Sequence, residues 1–170
     1  MPHRKFASWV EPIARRDREA RSELLECARS LPADAWLGLS PLDGWTRKDL
    51  LAHLAGDTGK WFAHILRSVL DGEPLDPRRV GPGANIDAIN QRDVDERHSR
   101  SVEELISEIE ADGQEHERLL LSLTDDQANF RLILYSVSLA EFFRDRPAGG
   151  RGPHDREHAA QLGSTLEPKS

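Results

Sequence analysis

The sequence predicts an all-α protein: an antiparallel four-helix bundle with one extra short helix. Three observations carry this prediction. Apolar residues recur at intervals of three and four over long segments. No strand-like segment has a partner strand to pair with. One stretch, residues 72–84, is rich in breakers (Pro74, Pro77, Gly81, Pro82, Gly83) and long enough to cross the end of a bundle. Packing against one another is the stable way for such helices to bury their stripes.

The first helix is read over residues 4–31, on Phe6, Trp9, Val10, Ile13, Ala20, Leu24, Ala28 and Leu31. Pro12 interrupts it, so the helix begins after that residue or bends there. Pro32, Gly38, Pro41 and Gly44 mark a connection. The second helix has the best start signal in the chain, Thr46 as N-cap with Asp49 three residues later. Its apolar residues run from Leu50 to Leu70 before Gly72 stops them, predicting one unbroken helix of ~37 Å. Helical periodicity resumes from Asn85 to about Leu123, with a break near 99–101 where Ser101 and Glu104 form an internal cap. In residues 125–152 the pattern is weakest. Arg131–Val137 has strand-like composition without a partner strand, Ser138 caps a short helix through Phe143, and 147–152 read as a loop. Gly152-Pro153 then opens a last helix that reaches Leu162 and ends at Gly163.

At 170 residues the chain is most simply one domain, spanning 1–170. A net charge of −7, with no Lys/Arg block among aromatics, excludes nucleic acid as the main partner. No apolar run approaches membrane-span length and no apolar segment follows the basic start, so a cytoplasmic protein is expected, with no membrane partner. Cys27 is the single cysteine, which excludes an internal disulfide.

The chemistry lies in the histidines. His154 and His158 are four apart and share one face of the last helix, a spacing at which two imidazoles can hold one metal ion. His53, two turns into the second helix, supplies a third if that helix and the last one enter the bundle from the same end. Three neutral imidazoles and an open fourth position describe a catalytic rather than a structural site. Asp57, one turn beyond His53, and Glu157 are the candidates for orienting ligands or moving protons. His98 and His116 fall on the stripe of Leu105, Ile109 and Leu123 and read as core or groove histidines; Trp61 and His64 read as packing near the pocket. His154-Asp155-Arg156-Glu157-His158 resembles the H-E-x-x-H of zinc proteases, but Asp155 is a methylene shorter than the glutamate base and would not reach the same water.

Two stretches carry a resemblance. Ser40-Pro-Leu-Asp-Gly-Trp-Thr-Arg-Lys-Asp-Leu-Leu-Ala-His-Leu-Ala55 is similar to the S-x-L-x-G-W-[ST]-x-x-[DH]-[VL]-L-x-H-L-A signature of the DinB/YfiT-like superfamily, which includes the metal-binding N-terminal domain of mycothiol-dependent maleylpyruvate isomerases. His154–Gln161 resembles that superfamily's closing H-x3-H-x-x-Q/H segment. Asn90–Asp93, followed by Ser101–Leu105, sits where the superfamily has an Asn-bearing helix start. The likeness covers residues from about 15 to 162. It implies an up-down-down-up bundle, often a homodimer, with a divalent metal (zinc or nickel) on His53, His154 and His158 and a small-molecule substrate. It further implies thiol-dependent S-transfer or isomerisation with mycothiol or bacillithiol. The alternatives are hydrolysis by metal-bound water and a non-catalytic stress or small-molecule-sequestering role. The isomerases carry a further C-terminal domain and tend to have Glu where His154 stands, so maleylpyruvate isomerisation itself is not expected.

Overall fold

The computed structural model describes residues 8–42, 44–72, 75, 84–132, 135–145 and 150–164, with 57–59, 128 and 145 in backbone only. Helix α1 spans Val10–Ser30. Pro12 lies in its first turn, where a missing N–H costs nothing, so the helix starts before the proline rather than after it. His3 and the predicted start at residue 4 lie outside the described residues, as does nearly all of the predicted crossover.

The predicted long second helix is two helices, α2 (Arg47–Leu54) and α3 (Asp57–Leu70). Thr46 and Asp49 cap α2 reciprocally: Asp49 N–H donates to Thr46 Oγ1 at 3.1 Å and Thr46 N–H to Asp49 Oδ2 at 2.9 Å. After Leu54 the backbone tightens, with Gly56 N–H donating to His53 O at 3.0 Å. The break coincides with the close approach of Asp93. Its carboxyl lies so close to Gly56 that a Cβ there would sit 2.3 Å from Asp93 Cγ. Gly56 then serves as N-cap of α3.

Helices α4 (Ile86–Arg97) and α5 (Val102–Leu120) are separated where the cap was expected. Ser101 N–H donates to Glu104 Oε2 at 2.7 Å and Glu104 N–H to Ser101 Oγ at 3.1 Å. His98, expected on the apolar stripe, ends α4 and is exposed, because the break turns it off that stripe. Short helix α6 (Asp125–Ala128) follows, capped by Thr124 and Gln127. The strand-like segment does find a partner, within itself: β1 (Arg131–Leu132) pairs antiparallel with β2 (Val137–Ser138), with Arg131 opposite Ser138. Ser138 and Glu141 cap a single wide turn over Glu141–Asp145. Helix α7 runs Arg151–Gly163 and begins two residues ahead of Pro153, after Gly150 at φ 87°. A 3-10 turn, Ala33–Leu37, lies in the predicted first connection.

The fold is thus all-α with one small hairpin. Helix α1 packs most extensively along α7 and also meets α5; α3 packs on α5, and α2 on α4. Two apolar cores result. One gathers Val10, Ile13, Phe62, Ile65, Leu66, Leu119, Leu120, Leu123 and Phe143; the other gathers Leu24, Trp36, Leu50, Leu54, Leu105, Ile109 and Leu162. Along α1 the residues between the two groups are Asp17 and Arg21, and along α5 they are Gly113 and His116. All four are buried. Each buried Leu, Ile or Phe contributes about 1.5–3 kcal/mol, whereas buried polar groups are costly unless bonded. The polar layer between the cores is therefore where a function is to be sought.

Candidate metal centre

Three elements bring the site together. The Thr46 cap fixes the start of α2 and places His53 in its last turn; α7 presents His154 and His158 from successive turns of one face. His53 is 4% exposed and His158 8%. One ring nitrogen from each of the three can be chosen so that all lie within 4.8 Å of one another. The ring centroids are 5.8 Å apart for His53 and His154, 5.2 Å for His53 and His158, and 4.5 Å for His154 and His158. The three imidazoles form one group, with His53 at the end of the short α2 rather than within one long helix, and among the described residues no fourth His, Cys, Asp or Glu joins it.

The donor set fits a divalent ion. His53 Nδ1 and His154 Nδ1 are buried with no hydrogen-bond partner, a condition that costs about 1–3 kcal/mol per group and that ligation would relieve. Burial pushes the His53 pKa down to about 3, helped by His158, then His154, then Arg151. Burial and the neighbouring His154 push His158 down to about 4, against the opposing pull of Gln161 and Asp155. Both imidazoles are therefore neutral at pH 7, the state a metal requires. His158 Nδ1 lies 2.6 Å from Gln161 Oε1, which assigns the proton to Nδ1 and leaves Nε2 with its lone pair.

Behind the histidines lies a buried ion pair. Arg151 Nε donates to Asp155 Oδ1 at 2.9 Å, and both side chains are at most 1% exposed. Burial alone would raise the Asp155 pKa, but Arg151 and His154 outweigh it and hold the carboxyl below its usual range. Asp155 Oδ1 is 3.7 Å from His154 Nδ1, longer than a hydrogen bond but close enough to bias the orientation of the ring. Asp155 and Gln161 were missed in the sequence. Their signals were the four-residue spacing of Arg151 and Asp155 and the three-residue spacing of His158 and Gln161, both on one helix face.

The other candidates are distributed differently. Glu157 is exposed. Asp57 opens α3, but its side chain lies outside the described residues. His116 is fully buried, with Nε2 3.1 Å from Asp17 Oδ2 and Nδ1 without a hydrogen-bond partner; Trp61 packs in the first core and donates to Tyr135 Oη at 2.7 Å. His64 is half-buried. Trp45 meets the His53 ring at 5.3 Å and also lines a cleft of about 330 Å³ with Leu42, Asp87, Asn90 and Gln91. No helix among the described residues is long and apolar enough to cross a membrane.

A family model described as the mycothiol maleylpyruvate isomerase N-terminal domain matches residues 18–148. The matched span contains His53 and ends before His154 and His158, so the geometry of α7 adds two of the three imidazoles independently of that match. No curated protein and no solved structure gives a significant match.

Proposed function

Because the chain belongs to the mycothiol maleylpyruvate isomerase N-terminal domain family, we propose that it is a divalent-metal-dependent enzyme acting on a small molecule with a low-molecular-weight thiol, by S-transfer or isomerisation. The observation that carries this reading is the meeting of three imidazoles from α2 and α7, of which His53 and His158 are buried and neutral. His53, His154 and His158 would hold zinc or nickel, both suited to three nitrogen donors. When bound, such an ion supplies Lewis-acid chemistry that makes a thiol or water at its open position acidic near neutral pH.

The chain's own residues prepare that position. Gln161 fixes the tautomer of His158, and Asp155, held by Arg151, orients His154. Phe62 stands edge-on to His154 at 5.9 Å and keeps water from that side. The cleft beside Trp45 offers an apolar surface on Trp45 and Leu42 and hydrogen-bonding groups on Asn90 and Gln91, which suits a substrate with both characters. Asp57, which opens α3 four residues after His53, is the proton-transfer group in this reading. The arrangement of α1, α2–α3, α4–α5 and α7 supports a bundle of four helical arms, two of them broken.

Incubating metal-loaded protein and an electrophilic substrate with and without mycothiol or bacillithiol tests the reading. Product forming only with thiol is expected. Equal product without thiol would favour hydrolysis by metal-bound water, and no turnover with metal bound would favour a sequestering protein.

A further inference from the structure

We propose that Asp17 is the positioning residue of the metal centre, acting on it from α1 without touching the ion; this rests on the metal reading above. Three groups converge on its carboxylate, which is 1% exposed. Oδ1 accepts from the Gly152 backbone N–H at 3.0 Å and from Arg16 Nε at 2.8 Å. Oδ2 accepts from His116 Nε2 at 3.1 Å.

Two of these contacts lead to the site. The Gly152 amide belongs to the first turn of α7, where N–H groups have no partner inside the helix and an anion is favoured. It lies two residues before His154, so the carboxylate sets where α7 begins and thereby where His154 and His158 stand. Gly152 makes the approach close: a Cβ there would lie 2.5 Å from Asp17 Oδ1 and 3.3 Å from Asp17 Cα. Any other residue would push α1 and α7 apart at this point. The second route runs through rings. His116 meets Phe62 edge-on at 6.4 Å, and Phe62 meets His154 at 5.9 Å. One acid on α1 thus ties together the ligand helix, α5 and the aromatic wall of the site.

The test is Asp17→Asn in the full chain, with Co²⁺ as the probe. The substitution keeps shape and one acceptor oxygen but turns an NH2 toward Gly152 or His116. Facing His116, that donor requires Nε2 to accept and moves the ring proton to Nδ1. Expected are a Co²⁺ affinity roughly tenfold weaker, a changed visible spectrum of the bound ion, and, in metal-free protein, a ¹⁵N NMR signature of the altered His116 tautomer. Leu123→Ala, a core-cavity variant chosen to cost comparable stability, should keep the wild-type affinity and spectrum. If Asp17→Asn does not fold, His116→Gln severs the ring route alone and should still weaken binding several-fold. Wild-type affinity and spectrum in Asp17→Asn, or in His116→Gln as its substitute, would overturn the inference alone. A wild-type protein that takes up no Co²⁺ would overturn the metal reading and the inference with it.

Discussion

His116, His53 and His158 are buried and His154 is half-buried, yet the surroundings of His116 differ from those of the other three. His116 has an acid to bond, Asp17 at 3.1 Å, and its neighbours are aromatic rings. His53, His154 and His116 alike bury an Nδ1 with no hydrogen-bond partner, but His53 and His154 have other histidines among their ring neighbours. Burial lowers the pKa of His116, and Asp17 opposes that fall; His53 has no such compensation. The difference teaches that burial does not mark a metal ligand. A lone imidazole held by an acid among aromatic rings has no companion ligand, whereas three imidazoles that face one another can share one ion.

The comparison breaks most sharply on metal loading. Zinc at about a thousand times its Kd should raise the unfolding free energy by ~4 kcal/mol, measured by urea denaturation, and should give no increase in His53→Ala. Next in size, Asp155→Asn removes the buried carboxylate that Arg151 Nε binds and should cost about 3 kcal/mol, together with a roughly tenfold loss of zinc affinity by competition titration. Asp17–His116 and Arg151–Asp155 would then differ in kind, one joining helices and the other facing a ligand.

Acid provides a third contrast. In metal-free protein the folded pKa values of His53 and His158, about 3 and about 4, lie below the ordinary 6.5. The unfolded chain therefore binds protons that the folded chain refuses, and stability falls as pH drops below about 6.5 toward 4. Each histidine contributes a slope of at most about 1.4 kcal/mol per pH unit. Urea midpoints between pH 7 and 4.5 should show this loss, and His53→Gln should flatten it. Gly56→Ala should cost about 1–3 kcal/mol through overpacking against Asp93, read by thermal melting. The smallest effect is expected for Glu157→Ala, within about 0.5 kcal/mol in stability because the side chain is exposed; unchanged metal content would confine the role of α7 to its buried face.

The three histidines were legible from spacing and helix order, and the Ser101–Glu104 and Thr46–Asp49 caps from local chemistry alone. These signals are local, so the surroundings do not overrule them. The break at Gly56 was not legible, because the apolar run on both sides favoured continuity and the Asp93 that packs against it is distant in sequence. The hairpin was missed because its partner strand straddles the end of the segment read as one strand and Ser138, read as a helix cap. Arg151–Asp155 was not legible, because Arg151 fell in the segment read as a loop; α7 starts at Arg151, and the pair is buried in the fold.

The most direct measurement is metal content per chain in purified protein against His53→Ala and His158→Ala. One divalent ion per wild-type chain and none in either variant is predicted, because α2 and α7 must both contribute. Unchanged metal content in both variants would contradict the site.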